Sequence, residues 1–217
     1  EEGPELHSSS IGAVLAGLTM WHDDGHYHNK YKTHIPIDTH LPVPQEFLEA
    51  GRTALDALLP AESATRPYDM SQLSLIWPYA IINEAQANDV LSNIENNLVR
   101  KHGVIRYAGD LYFNANPASP KGNEAEWPLG FAWLSIVYSK MAFRALKADS
   151  MFGHPAGLIE KADWYLKKLE SVMTEDGKVP ELYTSGRPNW SIPLAWAQSF
   201  YIVACQSLLR VNERLQG

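Results

Sequence analysis

Apolar side chains return every three or four positions through most of this chain, and prolines or glycines break the pattern between runs. That period belongs to helices, because 3.6 residues per turn bring such positions onto one face. Ile11, Val14, Leu15 and Leu18 form a first stripe, with Ser8 or Ser9 placed to cap the helix. Pro44 suits the first turn of a second helix whose expected buried face is Phe47, Leu48, Leu55 and Leu58, and Pro60 should end it. Residues 70–77 and 84–100 read as two more helices, interrupted at Pro78, with Gly103 as the stop signal after the second. Residues 104–113 alternate loosely, as extended chain or a short hairpin, and 114–124 read as loop. Residues 128–148 form a long apolar helix rich in aromatics. Residues 156–173 are amphipathic, with Leu158, Ile159, Ala162, Tyr165, Leu166 and Leu169 on one side. Asp176-Gly177 marks a turn, and Pro193 opens a final helix to about Leu215. The expected fold class is all-α: six or seven helices and little strand, in a single domain spanning 1–217.

Composition narrows the function. The chain has 217 residues, 45% hydrophobic and 20% charged, enough to bury one substantial core. A formal charge of -7 leaves no basic footprint for nucleic acid and argues against an anionic membrane surface. Cys205 is the only cysteine, which excludes an intrachain disulfide and a cysteine-based metal site, and it leans weakly toward a reducing compartment such as the cytoplasm. Asn189-Trp190-Ser191 fits the glycosylation pattern. No phosphate-cradling glycine motif or nucleophile elbow is present, and no cofactor is expected.

Chemistry-bearing side chains gather between the helices. Arg106, Tyr107, Asp110 and Tyr112 lie before the long apolar helix, Glu124, Glu126 and Trp127 lead into it, and Glu181 and Tyr183 precede the last helix. Acids, an arginine and aromatics on several loops of a rigid scaffold make up the inventory a glycosidase needs: two carboxyls around the bond, ring faces for sugars, and donors for hydroxyls. Arg106 and Asp110 can equally pair and pin a turn. His22, Asp23, Asp24, His26 and His28 form a second cluster; their spacing fits no standard metal site, and a polar surface loop is expected, with no metal bound.

Four segments in order resemble glycoside hydrolase family 15, the glucoamylase and phosphorylase kinase α-subunit group, most closely its kinase branch. They are Glu1-Glu2-Gly3 with Glu5-Leu6-His7-Ser8-Ser9-Ser10-Ile11-Gly12, then Leu58-Leu59-Pro60-Ala61-Glu62-Ser63-Ala64. The third is Arg106-Tyr107-x-x-Asp110-x-Tyr112 followed by Glu124-Ala125-Glu126-Trp127-Pro128. The fourth is Val179-Pro180-Glu181-Leu182-Tyr183 with Pro193-Leu194-x-Trp196-x-Gln198-Ser199. The resemblance implies about half of an (α/α)6 toroid, the C-terminal half, whose first half would precede Glu1 and pack against this chain. It implies an oligosaccharide or glucan substrate and inverting hydrolysis of an α-glucosidic bond. Glu1 falls on the general acid and Glu181 on the general base, with carboxyls roughly 6.5 to 9.5 Å apart. Glu2, Arg106 and Trp127 fall on sugar-subsite positions, and Tyr107, Asp110, Tyr112 and Tyr183 belong to the same motifs. Leu182 and Ala197 follow the kinase-branch wording, where glucoamylases carry Gln and Ser, so the resemblance also implies an alternative: a non-catalytic, glucan-sensing regulatory module. A plain helical scaffold is the third reading.

Overall fold

The computed structural model describes residues 5–23, 43–113, 124–146 and 154–216. Among them are seven α-helices: α1 (Ser8–Asp23), α2 (Gln45–Leu58), α3 (Leu73–Ile76), α4 (Glu84–Asn97), α5 (Leu129–Ala145), α6 (Pro155–Glu170) and α7 (Ala195–Gln216). A 3-10 turn, Met70–Gln72, leads into α3, and the one hairpin pairs β1 (Tyr183–Thr184) with β2 (Arg187–Pro188). The all-α expectation holds.

The long apolar helix is buried because it is apolar all round. Every side chain from Leu129 to Ser139 is buried, and α6 and α7 both pack on it. Each large side chain here, such as Phe131, Leu134 and Ile136, contributes on the order of 1.5–3 kcal/mol by leaving water. A polar knot adds register. Glu95 of α4 accepts from the hydroxyls of Tyr138 on α5 (2.7 Å) and Tyr165 on α6 (2.9 Å), and pairs with Lys161 (2.7 Å). Burial, with the Glu95 charge second, pushes both phenols above their ordinary range, so they stay protonated donors. Capping is local at α4, where Asn83 and Gln86 form a reciprocal box, and at α6, where Pro155 opens the helix.

Three expectations are corrected. Ser8 and Ser9 lie inside the first turn of α1, and the cap comes from Glu62, 54 positions away. The Glu62 carbonyl accepts from the Ser8 amide (2.7 Å), and its carboxylate accepts from the Ser8 hydroxyl (2.7 Å), the Ser9 amide (3.2 Å) and the Ser9 hydroxyl (2.5 Å). Gly103 does not stop α4, which ends at Asn97; it is glycine because a Cβ there would overlap the Trp127 backbone. On α2 the expected face is only partly covered: Leu55 is buried, whereas Phe47 is exposed, as is Val14 on α1.

Glu62 is almost fully buried, and that burial, opposed by hydrogen bonds from Ser9 and Ser8, raises its carboxyl above the ordinary value of 4.5. A raised folded-state value favours the neutral form in the fold. The stability linked to it is fully present below pH 4.5 and falls as pH rises through the raised value. Glu62→Ala should destabilise by about 2–3 kcal/mol, since the buried Ser8 hydroxyl loses its acceptor. Glu62→Gln, which never ionises, should gain stability relative to the wild type as pH rises from about 4 to 7. Thermal melts across that range check both.

Candidate functional site

The connections between α4 and α5 and between α6 and α7 meet on one face, stitched by backbone pairing. Val104 and Trp127 exchange two hydrogen bonds (both 3.0 Å), and Glu126 and Tyr183 exchange two more (2.9 and 2.8 Å). The Asn189 amide then reaches the Leu182 carbonyl (3.0 Å), and the Glu181 amide reaches the Ser191 carbonyl (3.0 Å). The result is a short irregular ladder at the mouth of a helical array, with successive side chains pointing to opposite sides. Trp127 goes one way, toward Asp110. Glu126 goes the other, where it accepts from the His102 amide (2.5 Å) and contacts its ring (3.1 Å).

Asp110 is the hub. It is 0% exposed, and Arg106 grips it with two parallel bonds, Nε to Oδ2 (2.7 Å) and Nη2 to Oδ1 (2.8 Å). Trp127 Nε1 donates to Oδ2 (3.1 Å) and the Tyr112 amide to Oδ1 (3.1 Å). These four donors fill the acceptor capacity of the carboxylate. The Arg106–Asp110 pair foreseen as a turn pin is therefore present.

The fixed guanidinium is 36% exposed and lies over three rings: Trp127 (4.9 Å), Tyr112 (5.0 Å) and Tyr107 (5.6 Å). Hydrogen bonding to Asp110 raises the Arg106 pKa above its ordinary value, so the group is a permanent cation. Its Nη1 hydrogens make no hydrogen bond among the described residues, which leaves donors for a ligand. Arg66, itself paired with Asp69 (2.9 Å), covers Tyr107 from another direction (4.1 Å). Tyr112 and Trp127 stand 5.6 Å apart at 30°.

Glu181 is half-buried and lies two residues before Tyr183, on the segment paired with Glu126. The Asn189 side-chain amide donates to its Oε2 (2.6 Å), and Oε1 has no hydrogen bond among the described residues. Tyr183 turns its hydroxyl inward to the Val172 carbonyl (2.7 Å) and stacks its ring on His102 (4.9 Å, 13°), so it braces the ladder. Glu124 is likewise committed, to Arg100 (2.9 Å) and the Gly109 amide (2.7 Å). Glu1 and Glu2 lie outside the described residues, and so do the side chains of the His22, Asp23, Asp24, His26 and His28 cluster. Among the described residues no group of three His, Cys, Asp or Glu is placed to hold a metal.

Two site residues were not singled out from the sequence. Asn189, the first residue of the triplet that fits the glycosylation pattern, is only 7% exposed and gives its side-chain amide to Glu181. Trp190 was noted only as the middle of that triplet. The signal that could have found both is their place within a loop that begins at Glu181.

No family model matches the chain. In sequence it is similar to the probable phosphorylase b kinase regulatory subunit alpha of Caenorhabditis elegans, 26% identical over an alignment of 235 positions. That alignment takes in 93% of this chain and 18% of the relative, so the chain spans less than a fifth of the relative's length. In three dimensions it is similar to a glycosyl hydrolase family 88 protein from Bacteroides vulgatus, with a TM-score of 0.50 and 14% identity. The match covers 95% of this chain and 62% of that one. This likeness speaks for the fold. The chain is an all-α part of an α/α toroid. No helix among the described residues is long and apolar enough to cross a membrane.

Proposed function

We propose that this chain is the C-terminal half of a glucoamylase-like toroid of glycoside hydrolase family 15, and that the whole protein hydrolyses α-glucosidic bonds with inversion. What supports the reading is the Arg106, Tyr112 and Trp127 cluster, joined through the Glu126–Tyr183 pairing to the segment that carries Glu181. The permanent cation supplies N–H donors for sugar hydroxyls, the rings supply pyranose faces, and Glu181 supplies a carboxylate with one oxygen held by Asn189 and the other open among the described residues. In this reading Asp110 positions Arg106 and Trp127, and Tyr183 positions Glu181.

The chemistry follows inversion. Glu181 Oε1 takes a proton from a water, and the resulting hydroxide attacks the anomeric carbon on the face opposite the leaving oxygen. Glu1 delivers its proton to that oxygen as the glycosidic bond breaks. The helices that complete the toroid precede Glu1 in this reading. They would cover the apolar groove of ≈ 450 Å³ between α1 and α2, lined by Leu6, Val14, Leu18 and Phe47 among others.

A second reading, a glucan-sensing regulatory module without hydrolysis, is favoured by the sequence likeness to a kinase regulatory subunit. Incubating the intact protein with maltooligosaccharides separates the two. Release of glucose as the inverted anomer, followed by NMR, supports the enzyme; saturable binding by calorimetry without release supports the module. Neither binding nor release removes both.

A further inference from the structure

Glu181 and Asn189 stand on the two flanks of the β1–β2 hairpin, so whatever seats that hairpin also places the carboxylate and the amide that donates to it at 2.6 Å. The hairpin closes through Ser185 (φ 50°) and Gly186 (φ 74°), successive left-handed residues whose twist suits paired strands. Strands of two residues cannot hold such a turn in place by themselves. The anchor comes from the α4–α5 connection, as the side chain of His102. Its imidazole lies flat on the Tyr183 ring (4.9 Å, 13°), and its Cε1 is 3.7 Å from where a Cβ on Gly186 would stand. One ring thus touches both a strand of the hairpin and its turn.

His102 is fixed from its own side as well. Its amide (2.5 Å) and its Nδ1 (3.1 Å) both meet Glu126 Oε2, and the next residue, Gly103, packs so closely on the Trp127 backbone that no Cβ would fit. Glu126 in turn exchanges its two backbone hydrogen bonds with Tyr183, so His102, Glu126 and Tyr183 close a triangle of contacts behind the candidate base. We infer that His102 is a positioning residue for Glu181: its ring is the peg that seats the hairpin, and Glu126 orients the peg. This rests on the reading of Glu181 as the base, and it deepens that reading by naming what fixes the base relative to Arg106, Tyr112 and Trp127. Loss of the ring leaves Glu181 its chemistry and its Asn189 bond, but both can tilt with the hairpin. A misplacement of about 1 Å lowers a rate by up to about 10²-fold. Sugar contacts through Arg106 and its rings belong to another segment and persist.

The test measures glucose release from maltotriose by the intact protein, with His102→Ala and His102→Phe each made alone and together with Glu181→Gln. His102→Ala should lower kcat about tenfold and leave KM within about twofold. His102→Phe keeps a flat ring against Tyr183 and loses only the bond to Glu126, so it should recover most of that loss. In the Glu181→Gln background, His102→Ala should bring no further loss, because no base is left to misplace. A change that merely loosened the fold would lower the rate equally in both backgrounds. Should His102→Ala fail to fold, His102→Gln carries the same comparison, since it lacks the ring but still bonds Glu126. Full turnover in His102→Ala, equal losses in the two backgrounds, or a His102→Phe as slow as His102→Ala overturns the peg and leaves Glu181 as the base. Full turnover in Glu181→Gln, or no release by the wild type, overturns the base reading and the peg with it.

Discussion

Glu181→Gln should lower glucose release from maltooligosaccharides by about 10²–10⁴-fold while leaving KM within a few-fold of the wild type. The substitution keeps the size of the side chain and an oxygen for the Asn189 amide, which now sits 2.6 Å from Glu181 Oε2. What it removes is the capacity to accept a proton from water. An interaction needed only in the transition state therefore disappears, and ground-state sugar contacts through Arg106 and the rings persist. Asn189→Ala gives the complementary case. It frees Glu181 to rotate without changing its chemistry, so its loss should be smaller, about 10-fold, and expressed mainly in kcat. Steady-state kinetics on maltotriose and maltoheptaose measure both. Unchanged turnover in Glu181→Gln would dismiss this residue as the base.

Much of the scaffold was legible because helical periodicity is a local property. The stripe Leu158, Ile159, Ala162, Tyr165, Leu166 and Leu169 places α6 within a few residues of its observed span, and the all-round apolarity of the segment after Pro128 marks the central helix α5. The errors lie where a partner decides. Phe47 and Val14 sit on the right stripe for burial but stay exposed along the groove between α1 and α2, and a pattern of apolar residues carries no information about what covers it. Glu62 was invisible as a cap because its role is defined by Ser8 and Ser9 across the fold. Two-residue strands such as β1 and β2 are too short to show any period. The Arg106–Asp110 pair was readable from its spacing, whereas the Asn189–Glu181 bond, eight residues apart across a hairpin, was not.

Asp110→Ala should destabilise the fold by about 3 kcal/mol and reduce glucan affinity by about 10- to 100-fold, the largest combined effect expected from any single change at this site. Four donors lose their acceptor at once, and they are not equivalent. The Arg106 guanidinium is a third exposed and regains water, so its share of the stability loss is screened. Trp127 is buried, and its indole N–H keeps no partner, which costs on the order of 1–3 kcal/mol by itself. The affinity loss has a separate origin. Without the bidentate grip, the Arg106 head is released from its place over Trp127 and Tyr112, and its donors must be ordered again when a sugar binds. Asp110→Asn separates the two effects. Its one oxygen, in the Oδ2 place, keeps an acceptor for Trp127, while its N–H2, in the Oδ1 place, faces the Tyr112 amide and one arginine donor, so stability should recover partly while affinity does not. Urea unfolding reports the first quantity and calorimetry with maltoheptaose the second. A cycle with Arg106→Ala should return a coupling of about 1–3 kcal/mol, and additivity would mean that Asp110 acts on the fold alone, leaving Arg106 to find its own position.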